Sequence, residues 1–473
     1  MNTPKSKPSS TPRQSDIIRQ LVQAGDSEKL ARLCAANIHV TDENQQYLHW
    51  RELKDTPPPP GLSSEEYWIA TRLARQRSAI DTGLCDRTGK PFSFCIPASM
   101  QGMLFEIARL TSGKIRTGEI VSDPIQSSSY RSHSLTKEAA YSCRLDGATF
   151  DHAATREVLR FGDRQPETQS EQLAFNTLFA INKLRRLNTD ELTPDHIIDI
   201  NTWLTAELSN NPNQAGQLRN DHNNESIFSE GTPGSDTHLA PPSKEISERL
   251  QTLCAFINGQ SDMFVHPFLR AIIAHFMLLY DRPFLTANGA TARALFYWLI
   301  RRQGYWLLEF VSISKVLFEQ PNGYLDGFKS VQDDDNDLTY FLFQQLHTIF
   351  QAMDELEQYL REKEVEIAQI RKLIKGSDAE TRLNLRQIIL LKHALENPQV
   401  TYTIHGHAKA HGVGYLSAKS DLLALADKLC LLDKTPMAKI FTCQTPIDLR
   451  RRVRVLPKKR PQSRPSLRRR VKS

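Results

Sequence analysis

Residues 266–304, HPFLRAIIAHFMLLYDRPFLTANGATARALFYWLIRRQG, constrain this chain more than any other stretch. Two strongly apolar runs with helical spacing, 266–280 and 289–303, flank a loop that carries Pro283 and Asn288-Gly289. Such runs must be buried, and periodicity predicts a helix for each. A loop ending in Asn288-Gly289 at a helix start has a further physical use. Amides at a helix N-terminus point outward without acceptors beside the positive end of the helix dipole, which makes an anion site. Arg293 lies about one turn inside the second helix, within reach of the same anion. Read by themselves, these residues are equally an ordinary turn and a solvated arginine.

The rest of the chain is predicted to be mainly α-helical. Apolar spacing marks helices at 16–36, 97–112, 134–145 and 243–259, with two more between 168 and 209. Ser63-Ser64-Glu65-Glu66 offers a helix start after a four-proline strap, and Thr193-Pro194-Asp195 offers another. Residues 215–242 are rich in Gly, Pro, Asn and Ser, with a β-prone piece at 226–228, and read as a loop with a small β-hairpin. A long amphipathic helix is expected from 337 to 375. Residues 382–445 read as helix, helix, helix and hairpin, the layout of a winged helix.

Charge separates the tail from everything else. Residues 450–473 contain 12 Lys/Arg and no acid, so removing them from the overall net charge of +6 leaves −6 for the preceding chain. Like charges and few apolar groups predict a disordered tail, suited to an anionic partner such as nucleic acid. The seven cysteines are scattered without a CxxC or other metal-ligand spacing, which points to a reducing cytoplasmic compartment. The polar N-terminus lacks the apolar stretch of a secretion signal, and no run of about 18 apolar residues predicts a membrane partner.

The stretch HPFLRAIIAHFMLLYDRPFLTANGATARALFYWLIRRQGYW resembles the core of a Fic (Fido) domain, whose motif is HPFx(D/E)GNGRxxR. AGQLRND and THLAPPSKEISERL resemble that family's flap, DDDNDLTYFLFQQL resembles the helix start after its core, and residues 384–428 resemble its C-terminal winged helix. The resemblance implies a Fic helical core with a hairpin flap. It divides the chain into a short N-terminal segment (1–45), a helical region (46–165), the Fic core (166–375), a winged helix (380–448) and a basic tail (449–473). It also implies descent from enzymes that transfer AMP from ATP to protein hydroxyls.

The departures from the motif bear on that activity. Arg282 stands where the family's histidine acts as general base, and a guanidinium that stays protonated cannot take the hydroxyl proton. Thr286 replaces the acidic Mg²⁺ ligand and is a poor substitute. Ala287 replaces the first glycine and Ala290 the first phosphate-contacting arginine, while Pro283, Phe284, Asn288, Gly289 and Arg293 survive. The expectation is a catalytically degenerate protein, a regulator or binding scaffold with no metal site. ATP or another anion would bind at Asn288, Gly289 and Arg293, with Mg²⁺ poorly supported. An active transferase of altered chemistry and a winged-helix DNA-binding regulator are the alternatives.

YSCRLDGATF, residues 141–150, resembles the family's inhibitory helix, with Ser142, Asp146 and Gly147 at the matched positions. It implies an ion pair from Asp146 to Arg293. Partners implied are a protein target or regulated protein, a second copy of the chain, and nucleic acid through the winged helix and tail. The candidate DNA-reading helix, 416–428, carries Lys419 and Lys428 against Asp421 and Asp427, with Ser417 and Ser420 as further polar contacts.

Overall fold

In a computed structural model the described residues are 38–112, 124–149, 165–189, 191–208, 214–220, 238–260, 263–377, 379–397, 400–411, 413–437 and 440–456, with 11, 12, 18, 19, 23 and 33. The chain divides into two compact units. The first comprises residues 1–115 and 134–354, the second 116–133 and 355–473.

The first unit opens with α1 (Trp50–Leu53) and α2 (Ser64–Ser78). Ser63 caps α2 as the sequence predicts: its hydroxyl accepts from the Glu66 amide, and the Glu66 carboxylate accepts from the Ser63 amide. Trp50, Leu53, Tyr67 and Trp68 bury together as a small core. Next comes a hairpin the sequence reading did not anticipate, β1 (Ile80–Cys85) and β2 (Pro91–Phe94), paired antiparallel with Ile80 opposite Phe94. Its turn is set by Asp86, whose Oδ1 accepts from the amides of Thr88 at 2.7 Å and Lys90 at 2.9 Å. Phe92 and Phe94 face inward from alternate positions, both fully buried.

Helices then follow as α3 (Ala98–Ser112), α4 (Pro124–Leu145), whose residues from 134 belong to this unit, α5 (Gln169–Leu184), α6 (Pro194–Thr205) and α7 (Ile246–Ile257). The apolar pair from which the sequence reading started is α8 (Pro267–Asp281) and α9 (Asn288–Arg302), which pack against each other and are buried almost throughout. His266 caps α8 through its ring nitrogen, with Pro267 in the first helical turn. Phe276 of α8 meets Phe92 edge-on at 5.5 Å, so the hairpin rests on the back of α8. Two shorter helices, α10 (Ile313–Glu319) and α11 (Pro321–Asp333), precede the long α12 (Thr339–Ile374), whose residues to 354 belong to this unit.

In the second unit, α13 (Ala379–Arg382) and α14 (Leu385–Glu396) lead to β3 (Thr401–Thr403), α15 (Ile404–His411) and α16 (Tyr415–Leu423), the last running on into a π-helical turn at Ala424–Lys428. β4 (Asp433–Met437) and β5 (Ile440–Gln444) form a hairpin, and β3 adds to β5, giving the antiparallel order β3-β5-β4. The third strand was not expected from the sequence. The predicted tail needs correction at its start: Leu449–Arg454 form α17, because Leu449 and Val453 lie one turn apart and are both buried. Residues 457–473, most of residues 1–37 and the hairpin expected around 226–228 lie outside the described residues.

Candidate functional site

The loop between α8 and α9 is built by clamps from three directions. Both of its ends turn through left-handed backbone at residues other than glycine, Arg282 with φ 41° and Ala287 with φ 57°. Side chains with a Cβ resist that region, so outside contacts must hold the shape. Asn288 closes the loop on itself: its Oδ1 accepts from the Phe284 amide and its Nδ2 donates to the Phe284 carbonyl, each at 2.9 Å. From the flap, the Arg219 amide donates to the Pro283 carbonyl at 2.9 Å, and Leu218 bridges Phe284 as a strand would. The buried Arg219 guanidinium donates to the carbonyls of Arg282 at 2.8 Å and Asp281 at 3.1 Å, and also to that of Pro241. From α6, Asn201 Nδ2 donates to the Thr286 carbonyl and to Thr291 Oγ1, each at 3.0 Å.

The sequence reading singled out neither Arg219 nor Asn201 as functional. Their partners are 63 and 85 residues away along the chain, and no local pattern announces them. The one available signal was an arginine in the flap-like AGQLRND, flanked by turn residues.

The anion site predicted at the head of α9 is filled from within. Asp146, just past the end of α4, places Oδ1 2.8 Å from Arg293 Nη2, and its Oδ2 accepts from the Ala290 amide at 2.8 Å. Arg293 is held further by α4, donating through Nε to Ser142 Oγ at 2.8 Å and through Nη2 to the Ser142 carbonyl at 2.7 Å. Gly147 ends this arm with φ 87°, a conformation that suits glycine. Gly289 has a steric role as well: a Cβ there would collide with Asp146 Oδ1 and stand 2.9 Å from Arg293 Nη1. Ser142, Asp146, Gly289, Ala290 and Arg293 are therefore one assembly.

The remaining motif positions lie close by along the chain with different exposures. Thr286 is exposed, Ala287 and Asn288 are half-buried, Ala290 is fully buried, and Arg282 is only 4% exposed. Burial pulls the Arg282 guanidinium below its ordinary pKa, yet Arg remains a cation at neutral pH. His238 sits against the same turn, with Nε2 2.7 Å from the Tyr280 carbonyl. Burial, with Arg282 adding to it, holds it at about 4, so it is a neutral imidazole at pH 7. Asp281 is pushed up to about 6 by burial against the opposing pull of Arg249, which pairs with it at 2.7 Å.

Among the described residues, no group of three or more His, Cys, Asp and Glu is disposed to hold a metal ion, and Thr286 offers only a neutral hydroxyl. Arg293 and the Ala290 amide together hold one carboxylate, that of Asp146.

The recognition-helix candidate is altered by the structure. Asp421 is buried, and both its oxygens are engaged by Arg386, with Nε at 2.6 Å and Nη2 at 3.0 Å, alongside Asn384 and His407. The exposed face of α16 consists of Tyr415, Leu416, Ser417, Lys419 and Ser420. Asp427 is drawn to Lys434.

The Fic/DOC family model matches residues 191–300. The protein adenylyltransferase fic-1 of Caenorhabditis briggsae is 29% identical over 167 residues, 34% of this chain and 31% of that protein. Its Caenorhabditis elegans counterpart is 28% identical over 34% of this chain and 30% of its own length. The chain thus spans about a third of the curated relatives it matches. A solved Fic family protein from Desulfovibrio desulfuricans G20 superposes with a TM-score of 0.47 at 15% identity, over 74% of this chain and 97% of that one. No helix among the described residues is long and apolar enough to cross a membrane.

Proposed function

Because residues 191–300 form a Fic domain, we propose that this chain descends from protein adenylyltransferases, has lost the transfer step, and serves as a regulator or binding scaffold. Arg282 carries the proposal. A buried, permanently protonated guanidinium occupies the place from which a proton acceptor would have to work. General-base loss alone removes about 10²–10⁴-fold of rate. Phosphoryl-type transfer also depends on charge stabilisation at the leaving group, which Thr286 and Ala290 do not supply. The Asp146 carboxylate, seated on the Ala290 amide and Arg293, opposes a nucleotide phosphate at the same donors by charge and by volume. On this reading the site binds and orients, and Arg282 does not accept a proton from a target hydroxyl.

The test is incubation of the full chain with labelled ATP, UTP or GTP, Mg²⁺ or Mn²⁺, and cell lysate. The expected result is no transfer above background. Robust transfer that disappears in Arg293→Ala would overturn the proposal.

A second reading concerns residues 380–448, which we read as a winged helix that contacts nucleic acid. The inward turn of Asp421 favours it, because the exposed face of α16 then presents Lys419 and hydroxyls without a carboxylate at that position. A salt-dependent gel shift, with and without residues 457–473, tests it. Loss of all binding on removing those residues would assign the contact to the tail instead.

A further inference from the structure

Among the buried carboxylates of the first unit, Asp281, Glu309 and Asp334 each pair with an arginine. Glu138 on α4 differs: it is 1% exposed and pairs with no cation among the described residues. It collects donors from one short segment at the start of α10 instead. Its Oε2 accepts from the Ser314 amide and the Ser312 hydroxyl, each at 3.0 Å, and its Oε1 accepts from the Ser314 hydroxyl. Tyr297 of α9 grips the same segment, its hydroxyl accepting from the Ile313 amide at 3.0 Å. Burial pushes the Glu138 carboxyl up, and the Ser314, Tyr297 and Ser312 donors pull it back. A carboxylate taken out of water without a counter-cation is costly, and the best-attested use of such a group is to fix a register.

Glu138, Ser142 and Asp146 recur every four residues and so share one stripe of α4 and its end. Arg293 and Tyr297 are likewise four apart on α9. Ser142 and Asp146 hold Arg293, while Glu138 holds the segment that Tyr297 holds. The two anchors lie about 12 Å apart along α4, eight residues at about 1.5 Å each. Two attachments on one rigid helix define its height and its rotation together. A slip of one residue would carry Asp146 about 1.5 Å along the axis and swing it about 100° away from Arg293. The apolar side of this stretch offers little resistance to such a slip, since its fully buried residues, Ala139 and Cys143, are small. α10 continues alongside, with the Arg144 guanidinium 4.5 Å from the Phe318 ring centre and the Tyr141 ring at 5.6 Å.

We infer that Glu138 is a positioning residue: by holding α4 to residues 312–314 it sets where Asp146 sits on Arg293 and the Ala290 amide. The start of α10 is thereby a handle on the site, and a shift of that segment withdraws the Asp146 carboxylate. This rests on the proposed reading of Asp146 as the group that opposes a ligand at Arg293.

Amide hydrogen exchange of the full chain tests this at the Ala290 amide, whose acceptor is Asp146 Oδ2. Glu138→Gln sets an amide nitrogen among donors. It should speed Ala290 exchange at least about tenfold, the loss expected when hydrogen bonds to a charged group are broken, while exchange along α8 stays at the wild-type rate. In an Asp146→Ala background the same substitution should leave Ala290 unchanged, because the carboxylate it displaces is already gone. A merely structural weakening would not depend on Asp146. Ser312→Ala removes one donor and leaves Glu138 in place. It should raise Ala290 exchange by a smaller factor, and it serves if the glutamine variant does not fold. Unchanged Ala290 exchange in folded Glu138→Gln, or in Ser312→Ala where only that variant folds, overturns the inference. So does an acceleration that is equal along α8 or that persists without Asp146. The two readings fail separately. Label transfer by wild type defeats the scaffold proposal and leaves this coupling standing, whereas unchanged Ala290 exchange defeats only the positioning role.

Discussion

Asp146 and Arg293, 147 residues apart in sequence, meet at 2.8 Å with both side chains largely withdrawn from water, while the second Asp146 oxygen takes the Ala290 amide. The pair fastens α4 to the head of α9. Breaking a buried pair from one side leaves the other charge unanswered and costs about 3–5 kcal/mol. Asp146→Ala should therefore lower the melting temperature and, by freeing Arg293 and the Ala290 amide, strengthen ATP binding measured by calorimetry. Unchanged affinity in a folded variant would separate the carboxylate from ligand access.

Gly289→Ala should expel Asp146, because the added methyl occupies the space of Oδ1. Overpacking of this kind costs about 1–3 kcal/mol. The cost should largely vanish when Asp146→Ala is already present. Urea melts of the two single variants and the double variant measure the coupling, and additive losses would contradict the geometry.

Restoring Arg282→His, Thr286→Asp, Ala287→Gly and Ala290→Arg together supplies the missing base, metal ligand, loop glycine and clamp. With Asp146 in place the variant should stay nearly silent, and Asp146→Gly added to it should produce transfer of label from ATP. Ala290 is fully buried, so its arginine should also cost about 1–3 kcal/mol, visible as a lower melting temperature.

His275 on α8 supplies a pH dependence. It is fully enclosed, with Nε2 3.0 Å from the Tyr324 hydroxyl, and its rings of contact are Phe296, Tyr324 and Phe341. Burial, with Arg293 adding to it, pushes its pKa down to about 3. The unfolded chain, with an imidazole near 6.5, takes up the proton first. Stability from this group is thus fully present above about pH 6.5 and falls as acid approaches pH 3, by about 2 kcal/mol between pH 7 and pH 5. His275→Gln should flatten that part of the profile in denaturant titrations at the two pH values.

In the second unit, Arg386→Ala should destabilise the region by about 3 kcal/mol, since Asp421 stays buried with only Asn384 and His407 for partners. Faster amide exchange across residues 385–423 would register the loss. Exchange no faster than in wild type would mean that the pair contributes little.

Legibility from sequence followed the range of the forces involved. The paired core helices were readable nearly to their ends, 266–280 and 289–303 against Pro267–Asp281 and Asn288–Arg302, because apolar periodicity, His266-Pro267 and Asn288-Gly289 are all local. The hairpin at 80–94 was missed although Asp86-Arg87-Thr88-Gly89 is a turn signal, since its flanking strands are short and only partly alternate. Motif departures at 282, 286, 287 and 290 could be named from the sequence. That Arg282 would be buried with its Nη1 left without a hydrogen-bond partner among the described residues could not, because burial is decided by elements far away in the chain. Asp421 misled in the same way: its charge was counted on the surface of its helix until Arg386 was seen to draw it inward.

The loop that carries the site turns left-handed at an arginine and again at an alanine, neither of which favours that turn. Its shape is therefore on loan from Arg219, Asn201 and Asn288. A synthetic peptide covering both core helices would relax at these two hinges and lose the bend, and slackening any one tether in the intact protein should blur the loop long before the helices melt.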